Sequence, residues 1–406
     1  MPITRYKNEY NNFSPKAKAL EDTNFIKSLS LKNFRSYPKA EFVFDPVVNL
    51  FIGPNGSGKS NLLEALHFLA TAHSYRAEAL RELIKIGDTS ASLELTLADG
   101  TCLEAIIILE TENSSRAKCV YKVNGVVKKR SDFLGNYYAV FFSPADIKLV
   151  IGSPSRRRSV LDSILCQIEK DYSRACNVYE KALRQKNELL LGSHRGGNVK
   201  NLFLTRKMPN RAGRDWEDSQ NGGNLAQVKS QVAVWNEILA KKGSYIQEKR
   251  QEFFAFANKM LSLLYPKMEV SSKQLILNYV TRQVSKEALD ESLEREITKK
   301  RSLIGPHRDD FLFLKDGWDL GLYGSRGEQR TAVFALKLCE LAFLESKIEG
   351  RVTLLLDDIF SELDKFYREK VLDTIEDRQS FITTAEENLI PKKLLDRAKL
   401  FRLNTQ

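Results

Sequence analysis

The sequence predicts an α/β fold that carries an inserted helical arm, and three segments support this prediction. A glycine-rich loop, GPNGSGKS, occupies residues 53–60. An apolar run that ends in two acids, TLLLDD, occupies residues 353–358, and YGSRGEQR at 323–330 comes shortly before it. We therefore expect one ATPase head made from both ends of the chain, with the middle of the chain inserted into it.

The glycine-rich loop has the strand–loop–helix context of a phosphate-binding loop. A buried strand is predicted over 47–52, and leucines at helical spacing follow the loop. Glycines let backbone N–H groups approach a β-phosphate, and the helix N-terminus favours an anion. Lys59 is expected to bind the β- and γ-phosphates of ATP, and Ser60 to ligate Mg²⁺. The predicted nucleotide-binding residues are Gly53, Pro54, Asn55, Gly56, Ser57, Gly58, Lys59 and Ser60.

The acidic run predicts the metal and water side of the same site. Asp357, at the end of the predicted strand, is expected to bind Mg²⁺, and Asp358 to polarise the attacking water as the catalytic carboxylate, together with Lys59. The alternative interpretation is an acidic surface turn. The next predicted strand ends in Thr383 and Thr384, where many ATPases of this class carry a γ-phosphate-sensing histidine, so sensing there would need a hydroxyl.

The segment at 323–330 has the composition of a second phosphate-facing element. A serine hydroxyl and backbone donors at the start of a helix, predicted over 332–341, suit a γ-phosphate. The alternative is a Ser–Gly turn that only caps this helix. The predicted signature residues are Ser325, Arg326, Gly327, Glu328 and Gln329.

Composition is typical of a large globular protein. The chain has 406 residues, 42% hydrophobic and 28% charged, which is enough for two domains. No apolar run approaches the roughly 18 residues of a membrane span, and no signal peptide is evident, so we expect a cytoplasmic protein without a membrane partner. Five cysteines without CxxC spacing are predicted to be reduced thiols.

Positive charge points to nucleic acid as a partner. The net charge is +11, and part of the excess lies in two clusters, one at the end of a predicted hairpin with an Asn124–Gly125 turn and one at a predicted helix start. A solvated charged face is the alternative for each cluster. The predicted DNA-binding residues are Lys128, Lys129, Arg130, Arg156, Arg157 and Arg158.

The middle of the chain predicts helices. Apolar residues recur at helical spacing over 161–189, with one break at Lys186, and again over 228–260. This length gives a short arm rather than a long rod. We predict a flexible N-terminal extension (1–24), the first part of the head (25–150), a helical arm (151–300) with a mobile tip around 192–224, and the second part of the head (301–406).

Longer segments resemble the RecF family of bacterial recombination mediators. They include LKNFRSY at 31–37, FFSPADIKLVIGSPSRRRSVLD at 141–162, ALRQKNELL at 182–190, GPHRDD at 305–310 and LLLDDIFSELD at 354–364. The resemblance covers about residues 25–402. It makes the predicted fold class an α/β P-loop NTPase of the ABC/SMC type with an inserted helical arm domain. Ser57 and Ser60 stand where the family often has Gln and Thr.

The resemblance also implies a function. It implies an ATP-dependent homodimer in which Ser325 and its neighbours act in trans and Asp364 contacts the dimer mate. It implies DNA binding at gaps and single-strand/double-strand junctions, weak DNA-stimulated ATP hydrolysis, cooperation with RecO and RecR to load RecA, and association with the nucleoid. No role for 307–310 follows from the residues beyond the family pattern.

Three other classes of protein share parts of this pattern. A transporter ATPase subunit shares the phosphate-binding loop, but its motifs usually lie closer together. An SMC-like structural DNA-binding protein shares the split head, but needs hundreds of residues of heptads. A DNA-binding protein with an inactive ATPase would not need Lys59, Asp357 and Asp358. Membrane co-purification, particle length and ATP turnover distinguish the three.

Overall fold

The computed structural model describes most of the chain, as two compact units. The first unit contains the described residues up to Asp171, Phe253–Asn278 and those from Leu312 onward, and the second contains Tyr172–Glu252 and Tyr279–Phe311. None of the described helices is long and apolar enough to cross a membrane. The described residues are 25–111, 116–192, 221–268, 274–348, 350–362, 365–375 and 378–404. The predicted extension (1–24), most of the predicted tip (193–220) and Asp364 lie outside them.

Strands in the described residues form three sheets. Their orders are β2-β1-β4-β5-β6-β7, β11-β10-β9 and β14-β3-β13-β12-β8. The strands are β1 (Ile26–Phe34), β2 (Tyr37–Val43), β3 (Val48–Ile52), β4 (Ser90–Leu97), β5 (Cys102–Leu109), β6 (Ala117–Val123), β7 (Val126–Lys128), β8 (Ala139–Phe142), β9 (Leu275–Val280), β10 (Asp310–Lys315), β11 (Trp318–Asp319), β12 (Thr353–Asp357), β13 (Ser380–Thr384) and β14 (Ala398–Arg402).

Helices connect these strands and form most of the second unit. Short 3₁₀ helices lie at Leu80–Leu83, Pro144–Ile147 and Glu387–Leu389. The α-helices are α1 (Lys59–Thr71), α2 (Arg130–Phe133), α3 (Lys148–Ile151), α4 (Pro154–Ile168), α5 (Lys170–Gly192), α6 (Asn221–Met268), α7 (Lys286–Lys299), α8 (Leu320–Tyr323), α9 (Arg326–Lys347), α10 (Ile359–Glu362), α11 (Lys365–Ile375) and α12 (Lys392–Leu395).

The parallel sheet places the two ends of the chain side by side. All neighbours in β14-β3-β13-β12-β8 pair in parallel, so their carboxyl ends share one edge. The loop after β3 and the acids that end β12 therefore emerge at the same edge, with β13 between them. Strands β3 and β13 are buried along their whole length, as expected for a parallel sheet covered on both faces. This arrangement explains how segments far apart in sequence form one site.

The antiparallel sheet packs on the parallel sheet through aromatic rings. Buried residues alternate along β4 and β5, which is the pattern of strands with one face toward the core. Phe44, which follows β2, meets Phe381 of β13 with ring centroids 4.7 Å apart, and Phe42 of β2 meets Phe51 of β3 edge to face at 6.1 Å. The predicted hairpin is confirmed by β6 and β7, because Asn124 (φ 51) and Gly125 (φ 77) both take left-handed conformations.

The second unit is largely helical, and a buried ion pair interrupts its apolar face. Leu189, Leu190, Val228, Val232 and Leu293 form its core, with Trp235 and Ile297 packed against them. Lys186 breaks the apolar pattern because its ammonium lies 2.7 Å from the Glu296 carboxylate, and both side chains are fully buried. Burial lowers the pKa of Lys186, and the negative charge of Glu296 opposes that shift.

The arm differs from its predicted limits in three respects. The periodic stretch 161–189 is two helices, α4 and α5, because Glu169 between them is extended (φ −122). Helix α4 belongs to the first unit, as does the end of α6, where Phe253 packs edge to face on Phe343 with ring centroids 5.1 Å apart. Helix α6 begins at Asn221, so residues 221–224 of the predicted tip are helical.

A buried carboxylate organises the GPHRDD segment of the second unit. Asp309 is 2% exposed and accepts hydrogen bonds from Gln247 (3.0 Å), Thr281 (2.8 Å), Arg250 (3.2 Å) and the Tyr279 hydroxyl. Because four donors surround this one side chain, Asp309 links α6 to the end of β9 and the residue that follows it. No group of three or more metal-ligating His, Cys, Asp or Glu side chains occurs within the described ranges.

Candidate active site

The phosphate-binding loop takes a backbone shape that needs glycine. Gly56 (φ 84) and Gly58 (φ 93) are left-handed, and Gly58 is the residue that precedes α1. A Cβ atom on Gly53 would lie 2.3 Å from the Leu403 carbonyl oxygen, so glycine allows the chain to pass beside the loop there. Pro54, Asn55 and Gly56 are exposed, whereas Ser57 is buried.

Lys59 lies within the loop and faces its carbonyl oxygens. Its ammonium donates to the carbonyl oxygens of Gly53 (2.6 Å) and Pro54 (2.9 Å). Burial lowers the pKa of Lys59, and the nearby carboxylates of Asp358 and Asp357 oppose that shift. Lys59, which the sequence predicts to bind phosphate, therefore places its positive charge on the inner side of the loop, where an anion is expected.

The acidic strand meets the phosphate-binding loop through hydroxyl groups. The Ser60 hydroxyl donates to Asp357 Oδ1 at 2.9 Å, and the Thr383 hydroxyl donates to the same oxygen at 2.8 Å. Burial raises the pKa of Asp357, and these two hydrogen bonds oppose the rise. Ser60 and Asp357 thus place a hydroxyl and a carboxylate oxygen side by side, and oxygen is the ligand type that Mg²⁺ prefers. The residues fit the predicted metal site.

Thr383 also fixes the second acid. The Asp358 backbone N–H lies 3.0 Å from the Thr383 hydroxyl oxygen and 3.2 Å from its carbonyl oxygen. Asp358 is left-handed (φ 46), a conformation that aspartate adopts more readily than most residues other than glycine. The Thr384 hydroxyl instead donates to the Glu386 carbonyl oxygen at 3.0 Å. Both threonines are evident in the sequence, but only the structure shows that the Thr383 hydroxyl faces Asp357 and Asp358.

The LKNFRSY segment forms hydrogen bonds that hold α1, the helix that follows the phosphate-binding loop. The Tyr37 hydroxyl donates to the Gly58 carbonyl oxygen at 3.1 Å, and Arg35 binds the buried Glu64 carboxylate through Nε (2.9 Å) and Nη2 (2.7 Å). From another segment, the Tyr75 hydroxyl donates to the Ser60 carbonyl oxygen at 3.2 Å. The sequence contains the motif but does not predict that Tyr37 and Arg35 contact Gly58 and α1, because these contacts depend on how β1 and β2 lie against that helix.

The signature segment forms a capped helix start. The Ser325 hydroxyl accepts from the Glu328 N–H at 3.3 Å, and the Glu328 carboxylate accepts from the Ser325 N–H at 2.7 Å. A hydrogen bond from Lys315, together with those from Ser325, lowers the pKa of Glu328 to about 2. Ser325, Arg326 and Gly327 are exposed. Ser325 therefore caps the start of α9, and its role toward a γ-phosphate stays a prediction.

Gln329 does not face outward with the other signature residues. It is 7% exposed, and its amide donates to the carbonyl oxygens of Leu320 (2.9 Å) and Gly324 (3.1 Å). Its side chain therefore holds α8 against the start of α9. Helix α9 begins at Arg326, and the period of the helix turns the side chain of Gln329 toward the core.

The predicted DNA-binding residues divide into exposed and engaged side chains. Lys128 and Lys129 are exposed at the end of the hairpin. Arg157 is 5% exposed, and its guanidinium donates to the carbonyl oxygens of Gly152 (2.8 Å) and Leu149 (3.3 Å), so it caps α3 and is not available to DNA in this structure. Arg130 is half-buried and donates to the Thr71 carbonyl oxygen at 3.2 Å. Arg156 and Arg158 are half-exposed.

The fold and the site define a class of protein. A phosphate-binding loop and an acidic strand end meet at one edge of a parallel sheet, and a capped serine–glycine helix start belongs to the same unit, which is the head of an ABC/SMC-type ATPase. The family model of the RecF/RecN/SMC N-terminal domain matches residues 25–402. Since curated RecF proteins are also more than 30% identical over most of their length, the chain belongs to the RecF family.

Similar proteins agree with this assignment. The DNA replication and repair protein RecF of Roseiflexus castenholzii is 32% identical, over 94% of this chain and 98% of that protein. The RecF protein of Thermosynechococcus vestitus is 35% identical, over 89% and 90%. A solved structure of the recombination mediator protein RecF-ATP in the RecFOR pathway is 28% identical with a TM-score of 0.76, over 92% of this chain and 95% of that one. The matching RecF-ATPrS structure is 29% identical with a TM-score of 0.75, over 91% and 95%.

Proposed function

We propose that this chain is a DNA replication and repair ATPase that binds ATP and Mg²⁺, dimerises on ATP, and acts at DNA gaps and single-strand/double-strand junctions. The observation that carries the proposal is the hydrogen bond of 2.9 Å between Ser60 and Asp357, which joins the phosphate-binding loop to the acidic strand. Family membership supports the same function. In the cell, we place the protein in the cytoplasm on the nucleoid, where its DNA substrate lies.

Residues of one chain supply most of an ATP-hydrolysing site. Ser60 and Asp357 would hold Mg²⁺, which supplies charge neutralisation to the phosphates when bound. Lys59 balances phosphate charge, and Asp358 orients the attacking water and receives its proton. Thr383 keeps both acids in place through the hydrogen bonds of 2.8 Å to Asp357 and 3.0 Å from Asp358.

A second copy of the chain completes the site in this proposal. Ser325 and Gly327 are exposed, and the helix start that they form has backbone donors and a hydroxyl proton for a γ-phosphate. ATP would then lie between two copies, and the γ-phosphate would link them. Hydrolysis removes this link, so the ATP-bound dimer is the form that stays on DNA. The predicted contact of Asp364 with the dimer mate belongs to the same arrangement.

DNA binding is assigned to the basic surface that includes Lys128 and Lys129. Their exposure, the net charge of +11 and the position of both residues at the end of a hairpin support contact with a phosphate backbone. Arg156 and Arg158 are retained as candidate contacts, whereas Arg157 is not. We further propose that DNA stimulates a slow ATPase, and that the protein cooperates with RecO and RecR to load RecA.

Binding to defined DNA tests the proposal. The affinity of the wild-type protein would be measured by anisotropy for gapped, blunt and single-stranded DNA of equal length, with and without ATP·Mg²⁺. We expect the gapped DNA to bind most tightly, and only with ATP. Lys59→Ala is the matched control, because it removes ATP binding and leaves the hairpin intact. Equal affinity for the three DNAs, or no effect of ATP, would contradict the proposal.

A further inference from the structure

Three large apolar side chains are exposed beside the signature segment. Trp318 is 66% exposed, Leu322 75% and Tyr323 71%. The rings of Trp318 and Tyr323 meet edge to face with centroids 5.6 Å apart, and Leu322 is the residue that precedes Tyr323 in the chain. We refer to Trp318, Leu322 and Tyr323 as the apolar patch. Clustered exposed side chains of this size mark contact surfaces more often than scattered ones do.

The apolar patch is fixed rigidly to the signature segment. Buried Gln329 donates from its side chain to the carbonyl oxygens of Leu320 (2.9 Å) and Gly324 (3.1 Å), which lie at the two ends of the turn that carries Leu322 and Tyr323. At the start of α8, Asp319 Oδ1 accepts from the Gly321 N–H at 2.7 Å. A Cβ atom on Gly324 would lie 2.7 Å from the Leu320 carbonyl oxygen, so the turn is tightly closed. The patch and Ser325 therefore form one rigid segment.

We propose that the apolar patch is part of the dimer interface and is covered by a second copy of this chain. The inference rests on the proposed ATP-dependent dimer, in which Ser325 meets the phosphate-binding loop of the second copy. Tyr323 precedes Ser325 by a single glycine in a rigid segment, so the surface that receives Ser325 also covers Tyr323 and its ring partner Trp318. The contact adds apolar burial to the link made by the γ-phosphate.

The charges around the patch favour protein over DNA as its partner. Asp319 follows Trp318 directly, and Lys315 is paired with Glu328 rather than directed at a phosphate. The segment 315–330 carries three basic and three acidic residues, namely Lys315, Arg326 and Arg330 against Asp316, Asp319 and Glu328. DNA-binding surfaces need an excess of positive charge, as at Lys128 and Lys129. Exposed aromatic rings in a segment of balanced charge are typical of a protein interface.

Truncation of an interface aromatic gives the expected effect. Removing such a side chain typically weakens association by about 10- to 100-fold. Trp318→Ala and Tyr323→Ala should therefore raise the dissociation constant of the ATP-bound dimer by this factor. ATP binding by the monomer should stay unchanged, because neither side chain belongs to the phosphate-binding loop or the acidic strand. The γ-phosphate link alone predicts no effect of these substitutions.

Sedimentation velocity over a range of concentrations measures this effect. The variants are made in an Asp358→Asn background with ATP·Mg²⁺, so that hydrolysis does not dissociate the dimer. Val234→Ala is the control, because Val234 is 60% exposed but lies on α6, outside the segment. If the patch variants and the control dimerise with the same dissociation constant as the parent, the patch lies outside the interface and the inference is wrong. If the parent itself stays monomeric, the proposed dimer fails and the inference falls with it.

Tryptophan fluorescence provides a second, independent test of whether Trp318 is covered in the dimer. Replacing Trp216 and Trp235 with phenylalanine leaves Trp318 as the single reporter, since the chain has three tryptophans. Quenching of Trp318 by iodide should fall on addition of ATP·Mg²⁺ above the dimer dissociation constant, and should not fall in a Ser325→Arg variant. Unchanged quenching in a proven dimer would overturn the inference. So would a Trp318→Ala protein that dimerises normally but loses affinity for DNA, because the patch would then be a nucleic-acid surface.

Discussion

Replacing Thr383 with valine should separate the shape of the acidic site from its hydrogen bonds. Thr383 is fully buried, and valine has nearly the same shape, so the packing around β13 is kept. The substitution removes the bond of 2.8 Å to Asp357 and one of the two acceptors of the Asp358 N–H. Neither acid itself is changed. The variant therefore tests whether Thr383 positions the acids.

The magnitude follows from the kind of hydrogen bond that is lost. A bond to a charged group contributes about 1.5–3 kcal/mol. If that energy is lost from the transition state, the rate of ATP hydrolysis falls by about 10- to 150-fold. Removing the bond also raises the pKa of Asp357 further, since this hydroxyl opposes the effect of burial. We therefore expect a higher Mg²⁺ concentration for half-maximal activity. Because the same hydrogen bond is present without nucleotide, we also expect a lower thermal midpoint.

Steady-state ATP hydrolysis at varied Mg²⁺ measures both effects. Thr384→Val is the matched control, because its hydroxyl binds the Glu386 carbonyl oxygen at 3.0 Å and not an acid. Thr383→Ser should restore most of the activity, since it restores the hydroxyl. Wild-type hydrolysis and Mg²⁺ dependence in Thr383→Val would refute the positioning role. Equal losses in Thr383→Val and Thr384→Val would point to general destabilisation instead.

Three further predictions concern other contacts. Lys186→Met should destabilise the protein by about 3–5 kcal/mol in urea unfolding, because it leaves the buried Glu296 unpaired, whereas Lys229→Met, which loses a surface pair, should cost less than about 1 kcal/mol. Glu328→Gln should lower the thermal midpoint at pH 7, because the ionised carboxylate of Glu328 stabilises the fold. The pKa of Glu328 is about 2 in the folded protein and about 4.5 in the unfolded chain, so this stabilisation is complete above pH 4.5 and is lost as the pH falls toward 2. The difference in thermal midpoint between the variant and the wild type should therefore shrink over the same pH range. Lys128→Ala/Lys129→Ala should reduce the log–log salt slope of DNA binding by about 2, whereas Arg157→Ala should lower stability and leave the slope unchanged.

Local motifs made the conformation of the phosphate-binding loop predictable. The phosphate-binding loop needs glycines, a lysine and a serine at fixed spacing, and the strand and helix around it have clear periodicity. The same is true of the Asn124–Gly125 hairpin, whose turn residues are among the few that accept left-handed conformations. A conformation that depends on residue type within a short segment can be predicted without a structure.

Contacts between distant segments could not be predicted in this way. Arg157 and Arg158 are adjacent in one basic run, yet Arg157 caps α3 and is buried, and nothing in the run distinguishes the two. Gln329 turns inward because α9 begins at Arg326, and sequence patterns fix helix ends only to within a few residues. Thr383 gains its role from the pairing of β13 with β12, where Asp357 is its register partner.

The association state of three variants with ATP·Mg²⁺, measured by sedimentation velocity with nucleotide binding followed in parallel, tests the proposed two-copy site most directly. Asp358→Asn should bind ATP, hydrolyse it about 10²–10⁴-fold more slowly and accumulate as a dimer. Ser325→Arg should bind ATP and remain a monomer, and Lys59→Ala should neither bind ATP tightly nor dimerise. An Asp358→Asn protein that stays monomeric with ATP bound, or a Ser325→Arg protein that dimerises normally, would contradict a site completed by a second copy of the chain.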